Sequence, residues 1–239
     1  MKHTSCTCII PFYNEEKGVI YVIKKLSSIK QFDKIILVND GSQDNSLEIV
    51  QNFVAKLKST RIHIISYKKN QGKAHAIQIG LKKVKTEYVC MFDSDLKKIN
   101  TKEVIYMIEN MFLHPEIDMG ILRRIHAKRF IKIFYRELIL SGQRMLRTQD
   151  LRKIYEDDFE KYQLEVAINT FMEKNKKIVV RYPFTGENTF KGKKRWILQG
   201  IKKDISMFRD IFKYQGVLGY IRHSFSFSPI NEKKYKTSK

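Results

Sequence analysis

Apolar residues recur with two different spacings along the first half of the chain. Short continuous apolar runs, typical of buried strands, alternate with segments in which apolar residues return every three or four positions, typical of helices. This pattern predicts strands at residues 6–12, 34–39, 61–67, 88–92 and 118–124, and helices at residues 14–28, 43–58, 73–84 and 100–111. Asn100 and Glu103 resemble a capping box at the start of the last helix. Strands separated by helices predict βαβ units and therefore an α/β fold with a mostly parallel sheet.

The second half of the chain has a less regular pattern. It predicts helices near residues 129–138 and 162–174, a strand at residues 177–182 and a long amphipathic helix at about residues 193–214. In the last of these, Ile197, Ile201 and Ile205 belong to an apolar stripe at helical spacing. Because no repeat or low-complexity linker divides the chain, we predict one domain over residues 1–239.

The charge of the chain narrows the classes of partner. Its 239 residues include 46 Lys and Arg against 25 Asp and Glu, which gives a formal net charge of +21. A charge this far from zero favours anionic partners: nucleic acid, phosphates or an anionic membrane surface. A basic nucleic-acid-binding protein is therefore the alternative from another functional class. The sequence contains no recognisable nucleic-acid motif, so we expect no nucleic-acid partner.

Cysteine usage and hydropathy bear on the compartment. Cys6, Cys8 and Cys90 lie in predicted strands, and an odd number of cysteines makes no disulfide framework. We expect buried, reduced thiols, which are typical of cytosolic proteins. The sequence shows neither an apolar run of the ~20 residues that span a membrane nor a signal-peptide pattern, so we predict a cytoplasmic location.

Polar residues follow several of the predicted strands at the point where each strand ends. The segments are 11-PFYNEE-16, 39-NDGSQDNS-46 and 93-DSD-95, while 70-NQGKAHA-76 opens the third helix. Each also has a simpler local interpretation: a helix N-cap at Asn14 or Asp44, a tight turn at Asp40-Gly41, or a solvated helix start at Gly72-Lys73. Their coincidence at the carboxyl ends of parallel strands, where ligands bind in such sheets, favours a binding site.

Asp93 and Asp95 are the most informative pair in these segments. Carboxylates at positions i and i+2 of an extended backbone point the same way, and here an apolar run ends directly before them. Ionised carboxylates beside an apolar core are costly unless something pairs with them. Mg²⁺ typically takes one or two carboxylates together with substrate phosphates. The spacing therefore favours a divalent cation that carries a nucleotide diphosphate over a simple helix-start cluster.

Taken in order, four segments resemble family 2 glycosyltransferases of the GT-A fold. They are CIIPFYNEEKGV, ILVNDGSQDNSLEIV, NQGKAHAIQIGLKKVKTEYVCMFDSDL and LSGQRMLR. The branch looks similar to polyprenyl-phosphate (dolichol-phosphate-mannose-like) transferases and their soluble bacterial relatives. The resemblance implies a Rossmann-like, mostly parallel sheet flanked by helices, with a C-terminal amphipathic helical extension. It divides the chain into a nucleotide-sugar-binding half (about 1–100), an acceptor-binding half (about 101–190) and a basic extension (about 191–239).

The same resemblance implies which residues bind the nucleotide sugar: Pro11, Tyr13, Asn14, Glu15, Asp40, Gly72, Lys73, Asp93, Ser94 and Asp95. Asp40 would accept a hydrogen bond from the base, uracil in most members and guanine in some. Lys73 would offer a cation to the nucleotide. Asp93-Ser94-Asp95 matches the DxD motif, which would bind Mg²⁺ or Mn²⁺ on the diphosphate. The implied reaction is transfer with inversion at the sugar carbon, in which the metal neutralises the departing nucleoside diphosphate.

The catalytic base is less well determined by the sequence. Glu165 and Asp150 are the candidates for removing a proton from a hydroxyl acceptor, and Glu165 is preferred because similar sequences carry a Glu after the SGxR segment. A phosphate acceptor needs little base, and Arg144 and Arg147 would then clamp it. For Glu165 the alternative is a surface position on a helix, and for the two arginines it is a solvated helix face.

One departure from the family pattern concerns the metal. Similar sequences often carry a His after the last strand, where this chain has 185-TGENTFKGK-193. Asn188 is then the candidate for a third, weak metal ligand through its oxygen.

The basic C-terminal segment suggests a membrane surface. Residues 191–203 carry six Lys and Arg, no acid and the single Trp196, beside the apolar stripe. The simpler interpretation is a helix packed on the domain, and the functional one is an interfacial helix on anionic lipid at the inner face of the cell membrane. We therefore expect a polyprenyl phosphate or other membrane-associated acceptor, with a soluble or glycan acceptor as the alternative.

Overall fold

The computed structural model of the chain describes residues 4–124, 141–156 and 164–188. Within these ranges the strands are β1 (Cys6–Phe12), β2 (Phe32–Asp40), β3 (Ile62–Tyr67), β4 (Tyr88–Met91), β5 (Leu96–Lys98), β6 (Met119–Arg124), β7 (Arg144–Arg147), β8 (Val179–Phe184) and β9 (Glu187–Asn188). The helices are α1 (Val19–Ser27), α2 (Ser46–Leu57), α3 (Lys73–Leu81), α4 (Thr101–Leu113), α5 (Thr148–Ile154) and α6 (Leu164–Lys174).

Seven strands form the main sheet, in the order β3-β2-β1-β4-β7-β6-β8. Every neighbouring pair in this sheet is parallel except the two pairs that β7 makes with β4 and β6. The prediction of a mostly parallel α/β sheet is therefore confirmed. The short strands β5 and β9, which the sequence pattern did not predict, pair antiparallel as a separate ribbon.

The direction of β7 decides which of its residues reach the site. We call the edge where the parallel strands end the carboxyl edge, and the edge where they begin the amino edge. Arg144 is paired with Met91 at the end of β4, and Arg147 is paired with Tyr88 at its beginning. Because β7 runs against its neighbours, its first residue lies at the carboxyl edge and its last at the amino edge.

Helices cover both faces of the main sheet. Apolar residues of α1 and α4 pack on one face with alternate strand residues such as Ile10 and Cys90. Those of α3, α5 and α6 pack on the other face with the intervening residues such as Ile9 and Met91. This double burial explains why the strands are continuous apolar runs in the sequence. Cys6, Cys8 and Cys90 are buried free thiols on the first face.

Several boundaries differ from the sequence prediction. Helix α1 begins at Val19, later than predicted, because residues 13–18 form a loop of the site. Asn100 caps α4 by accepting a hydrogen bond from the Lys102 amide, but the Glu103 carboxylate accepts from Thr185 instead of completing a capping box. Residues 144–147 form a strand and not a solvated helix face, and α5 was not predicted.

Two predicted helices, near residues 129–138 and at about 193–214, lie outside the described residues, as does the C-terminal extension. Across residues 4–124, 141–156 and 164–188, no helix has the length and apolar character needed to cross a bilayer.

Candidate functional site

A cavity of about 470 Å³ opens at the carboxyl edge, beyond the ends of β1, β2 and β4. Its lining residues are Pro11, Phe12, Tyr13, Glu15, Asp40, Asn70, Gly72, Lys73, Asp93, Ser94 and Asp95. Apart from Asn14, every residue predicted to bind a nucleotide sugar belongs to this lining. The fold thus brings together residues as far apart in the chain as Pro11 and Asp95, because parallel strands end at one edge.

Two loops on one side of the cavity are joined by hydrogen bonds. The Asn14 amide donates to Ser42 Oγ at 3.1 Å, and Asn14 Oδ1 accepts from the Gln43 amide at 2.8 Å. The Glu15 amide donates to Ser46 Oγ at 2.7 Å. Asn14 adopts a left-handed conformation, with φ of 49°, which asparagine tolerates better than most residues. Asn14 therefore shapes the cavity by holding these two loops, here named the paired loops (residues 13–18 and 41–46).

Asp40 holds the loop that leads into α3. Its Oδ1 accepts from the Tyr67 hydroxyl and the Gln71 amide, both at 2.8 Å. Its Oδ2 accepts from Asn70 Nδ2 at 2.8 Å and from the Gly72 amide at 2.9 Å. A carboxylate has about four lone-pair positions, and these four donors use them. Gly72 has φ of 93°, a conformation that favours glycine, so the residue before Lys73 is fixed by both backbone and hydrogen bonds.

We expect Asp40→Asn to weaken the binding of UDP and of GDP by similar factors, about 10-fold. The amide NH₂ of asparagine would face hydrogen-bond donors that now point at a carboxylate, so the loop before Lys73 would loosen. Isothermal titration calorimetry with both nucleotides measures this. Asp33→Asn is the matched control, since Asp33 lies at the other end of β2 and accepts a hydrogen bond from the Cys6 amide. A change in the ratio of the two affinities would instead indicate that Asp40 contacts the base directly.

Lys73 connects two carboxylates at the floor of the cavity. Its Nζ lies 2.6 Å from Asp93 Oδ1 and 2.8 Å from Glu165 Oε1. Burial alone would lower the pKa of Lys73, but Asp93 and Glu165 together outweigh burial and raise it. Burial would likewise raise the pKa of Asp93, and Lys73 outweighs it and lowers that pKa. Through its ion pair, Glu165 lies directly beside Lys73, a lining residue of the cavity, although it follows Lys73 by 92 residues in the chain.

Asp95 has the opposite electrostatic environment. Burial, together with the negative charges of Asp93 and Glu15, raises the pKa of Asp95 to about 6. The neighbourhood of Asp95 therefore carries more negative charge than its cations compensate, and a bound divalent cation would relieve this excess.

The comparison with known proteins decides the family. The family model described as Glycosyl transferase family 2 matches residues 7–154, which is more than half of the chain. The protein is a family 2 glycosyltransferase. The matched segment contains the paired loops, Asp40, Lys73 and the DxD motif, so the resemblance inferred from these motifs is confirmed.

Relatives of this glycosyltransferase are similar over part of their length. An uncharacterized protein of Methanocaldococcus jannaschii is 30% identical over 139 residues, 56% of this chain and 59% of the relative. A dolichyl-phosphate beta-glucosyltransferase of Trichomonas vaginalis is 37% identical over 98 residues, 37% of this chain and 28% of the relative. A poly-beta-1,6-N-acetyl-D-glucosamine synthase of Staphylococcus epidermidis is 33% identical over 110 residues, 46% of this chain and 26% of the relative. The matches thus span about a quarter to three fifths of these relatives.

Solved structures establish the fold of the glycosyltransferase. Glucosyl-3-phosphoglycerate synthase from Mycobacterium tuberculosis, in complex with Mn²⁺, UDP and phosphoglyceric acid, superposes with a TM-score of 0.68 at 14% identity. The match covers 93% of this chain and 79% of the synthase. A complex of the same synthase with Mg²⁺ and UDP gives a TM-score of 0.67 at 15% identity. At this identity the likeness shows the fold alone, and it confirms the predicted GT-A fold.

The carboxylates of Asp93 and Asp95 differ in how available they are to a divalent cation. Asp93 already accepts from Lys73 through Oδ1 and from Gln143 Nε2 through Oδ2, the latter at 2.6 Å. Asp95 has the charge excess described above. Among the described residues no three His, Cys, Asp or Glu side chains converge in a geometry that could hold a metal. The partly buried carboxyl group of Asp95 is the donor that suits a cation such as Mg²⁺, which commonly takes one or two carboxylates together with phosphate oxygens.

The third predicted metal ligand, Asn188, is located by its backbone. Residue 188 is paired with Leu96, the residue after Asp95, in the β5–β9 ribbon. This pairing brings the backbone at position 188 beside the DxD segment. The role of the Asn188 side chain in binding metal stays a prediction.

Two of the four predicted catalytic residues lie at the amino edge. Asp150 is 2% exposed, and its Oδ2 lies 3.1 Å from Lys177 Nζ. Arg147 pairs with Glu87 at 3.1 Å and donates to the Pro115 carbonyl. Because β7 runs against the other strands, both residues are directed away from the cavity. Asp150 is therefore not positioned as a base, and Arg147 is not positioned to clamp an acceptor.

Arg144 lies at the carboxyl edge but is completely buried. Its guanidinium donates twice to the Ser141 carbonyl, at 2.9 and 2.6 Å, and to Asn169 Oδ1 at 3.0 Å. Burial lowers the pKa of Arg144 to about 10. The guanidinium holds the segment before β7 against α6, so Arg144 supports the site from below instead of binding the acceptor.

Three residues near Asp93 and Asp95 were not predicted from the sequence. Gln143 donates to Asp93, and the backbone of Gly142 packs against Asp93 and Lys73. Arg124, at the end of β6, is close enough to lower the pKa values of both Asp93 and Asp95. The sequence signal for Gly142 and Gln143 was the SG dipeptide and a polar residue directly before an apolar strand. The prediction for this segment rested on its arginines alone.

Proposed function

We propose that this glycosyltransferase moves a sugar from a UDP- or GDP-sugar to a polyprenyl phosphate or another membrane-associated acceptor, with inversion at the sugar carbon and with Mg²⁺ or Mn²⁺. The observation that carries the proposal is the cavity at the carboxyl edge, where Asp95 and the Asp93–Lys73–Glu165 chain face the paired loops. The cavity has one region suited to a nucleoside and another suited to a diphosphate with its cation.

The nucleoside would lie between the paired loops and the loop held by Asp40. Tyr13 is 40% exposed at the rim, where its ring offers an apolar surface to a base or ribose. Pro11 and Phe12 form the adjacent wall. Backbone groups of the two loops are fixed by the hydrogen bonds described above, so the cavity wall is formed without the nucleotide.

The diphosphate would lie beside Lys73 and Asp95. A divalent cation bound through Asp95 would supply the positive charge that offsets the developing charge of the departing nucleoside diphosphate. Lys73 would add a second, fixed positive charge on the opposite side, because its Nζ is held in place by two carboxylates. Preorganised charges of this kind stabilise the transition state without reorganisation during the reaction.

Glu165 remains the candidate base for a hydroxyl acceptor; its contact with Lys73, a lining residue of the cavity, supports it over Asp150. Its Oε1 already accepts a hydrogen bond from Lys73 Nζ at 2.8 Å, so one of its two oxygens is occupied. This pairing is compatible with a phosphate acceptor, which is already ionised and needs no base. It therefore favours the polyprenyl phosphate over a hydroxyl acceptor.

The acceptor class also draws support from the relatives. One similar protein is named a dolichyl-phosphate beta-glucosyltransferase. A glycan acceptor is the alternative, because another is named a poly-beta-1,6-N-acetyl-D-glucosamine synthase. Binding of anionic lipid through residues 191–203, outside the described residues, stays a prediction and would bring the enzyme to the lipid acceptor.

We expect one nucleotide among UDP, GDP, CMP and dTDP to raise the thermal midpoint of the protein with MnCl₂ and to do so much less with EDTA. Binding at 100 times Kd stabilises a protein by about 2.7 kcal/mol. The sugar nucleotides of the responding base are then incubated with an undecaprenyl phosphate in detergent, and butanol-extractable labelled sugar is measured. Transfer to a soluble glycan alone would favour the alternative acceptor, and stabilisation by none of the nucleotides would contradict the proposed donor.

A further inference from the structure

The segment that precedes β7 closes over the Asp93–Lys73 ion pair. We name residues 141–143 (Ser141, Gly142 and Gln143) the covering segment. It enters the carboxyl edge because β7 begins there, in contrast to every other strand of the main sheet. The segment lies on the far side of Asp93 from the paired loops.

Gly142 is in direct contact with the ion pair. A Cβ atom at position 142 would lie 2.5 Å from Asp93 Oδ2, 2.6 Å from Asp93 Oδ1 and 2.6 Å from Lys73 Nζ. All three distances are shorter than any real Cβ makes, so a side chain here would displace the carboxylate, the ammonium group or both. Only glycine lets this backbone approach so closely.

Gln143 holds the second oxygen of the same carboxylate. Its side chain is completely buried, and Nε2 donates to Asp93 Oδ2 at 2.6 Å. With Lys73 on Oδ1, both oxygens of Asp93 have a fixed donor. A hydrogen bond to the charged form stabilises that form, so Gln143 helps to keep Asp93 ionised and in one orientation.

The covering segment is itself held rigidly. Ser141 Oγ donates to the Leu122 carbonyl at 2.9 Å, and the Leu122 amide donates to the Gln143 carbonyl at 3.0 Å. The buried Arg144 guanidinium binds the Ser141 carbonyl from below. Hydrogen bonds with Leu122 of β6 and Arg144 of β7 thus fix the position from which Gly142 and Gln143 contact Asp93.

We propose that Gly142 and Gln143 are positioning residues for the reaction: they fix Asp93 against Lys73, so that the metal with its diphosphate is bound through Asp95. The inference rests on the proposed function, because it concerns how the donor site is held. It assigns to this segment the role of orienting a carboxylate, in place of the acceptor clamp expected from its arginines.

Metal coupling is the readout that separates positioning from simple folding. It is the ratio of the Kd for UDP in EDTA to the Kd for UDP in MnCl₂, with GDP used instead if the wild type prefers it. Gly142→Ala and Gln143→Met are expected to lower this ratio about 10-fold or more, the equivalent of one charge-assisted hydrogen bond. The Kd in EDTA should change little, whereas a merely structural defect would weaken both.

Gly120→Ala is the matched control for the glycine. Gly120 lies on β6, where an added Cβ would meet Met111 Sδ at 2.8 Å, so this position is also crowded, but by apolar side chains of the core instead of the ion pair. We expect Gly120→Ala to keep the wild-type ratio even if it lowers the thermal midpoint. Equal loss of coupling in Gly120→Ala, or an unchanged or increased ratio in both segment variants, would overturn the inference.

A double-mutant cycle tests the contact without nucleotide. The shift in the urea midpoint caused by Gln143→Met should be much smaller in an Asp93→Asn background, because the charged acceptor is gone. Additive shifts would overturn the assigned contact. If the wild type itself shows no metal-strengthened nucleotide binding, the proposed function fails and the positioning role with it. If the wild type shows metal-strengthened binding and the Gly142→Ala and Gln143→Met variants show it equally, the positioning role alone fails.

Discussion

Asp95→Asn is expected to abolish the strengthening of nucleotide binding by Mn²⁺ and, at the same time, to stabilise the metal-free protein at about pH 7.5. The first effect follows from the loss of the carboxylate that the site offers to the cation. The second follows from its raised pKa of about 6, caused by burial and by the nearby Asp93 and Glu15. An ionised Asp95 is thus unfavourable in the folded protein until a cation arrives.

The stability effect follows from the difference in the pKa of Asp95 between the folded and the unfolded protein. Asp95 ionises near its ordinary pKa of 3.8 in the unfolded chain, but only near 6 in the folded protein. Between these values the folded state binds more protons, so the free energy of unfolding falls as the pH rises through this window. A difference of about two pKa units corresponds to at most about 3 kcal/mol above the window. Asparagine carries no charge at position 95, so the variant does not lose this free energy of unfolding as the pH rises.

Urea unfolding of the metal-free protein at about pH 4 and at about pH 7.5 measures the effect. The variant should gain stability over the wild type at the higher pH and much less at the lower one. Asp33→Asn serves as the control, because Asp33 lies at the amino end of β2, away from the cavity. Retention of metal-strengthened UDP or GDP binding by the Asp95→Asn protein would contradict the metal role of Asp95.

Lys73→Met is expected to weaken nucleotide binding about 10- to 100-fold and to lower the stability of the protein. The ammonium group stands between Asp93 and Glu165, at 2.6 and 2.8 Å. Without it, two carboxylates lose their common cation and repel each other, while the diphosphate loses a charge-assisted partner. Since the Lys73 side chain is 35% exposed, water screens part of the loss, and we expect about 1–2 kcal/mol of destabilisation.

Two further variants test whether these effects are specific to the ion pairs of Lys73. Lys82→Met, at the other end of α3, is the matched control and should leave binding unchanged. Glu165→Gln added to Lys73→Met should restore part of the stability, because it removes one of the two repelling charges. Asp93 and Glu165 raise the pKa of Lys73 above its ordinary value of 10.5, so its stabilising effect should be constant from about pH 6 to 9 and be lost only in strongly alkaline solution. Equal stability of the Lys73→Met and wild-type proteins would contradict the assigned ion pairs.

Local patterns were sufficient for the first half of the fold. The strands β1 to β4 and β6 lie where apolar runs predicted them, since each is buried on both faces and flanked by helices of clear period. The cavity followed from one topological rule, because polar residues directly after parallel strands share an edge. Asp93, Asp95 and Lys73 could therefore be placed together from the sequence.

The direction of β7 could not be predicted in the same way. Its four residues, RMLR, are too short to show a period, and the helix alternative for Arg144 and Arg147 suits the same letters. Which end of β7 faces the cavity depends on its antiparallel pairing with β4, a long-range property. Asp150 was misplaced for the same reason, since its contact with Lys177 exists only once β7 and β8 flank β6.

Asp40 illustrates a second limit, because the sequence did not reveal its hydrogen bonds within the protein, while its contact with a base stays a prediction. The sequence showed a carboxylate at a strand end, which suited contact with a base. Its four donors come from residues 67–72, and loop conformation decides that they converge on it. Local sequence shows that a polar group is available but does not show which partner reaches it first.

The paired loops have a consequence for the entropy of donor binding. Residues 13–18 are joined to residues 41–46 by hydrogen bonds of Asn14, Glu15, Ser42 and Ser46 that belong to the protein itself. Ordering a flexible loop on binding costs about 1–2 kcal/mol for each residue fixed, which would subtract directly from affinity. Here that ordering is already accomplished when the chain folds. Contacts with the cavity would then set the affinity for a nucleoside, with little subtracted for ordering these two loops.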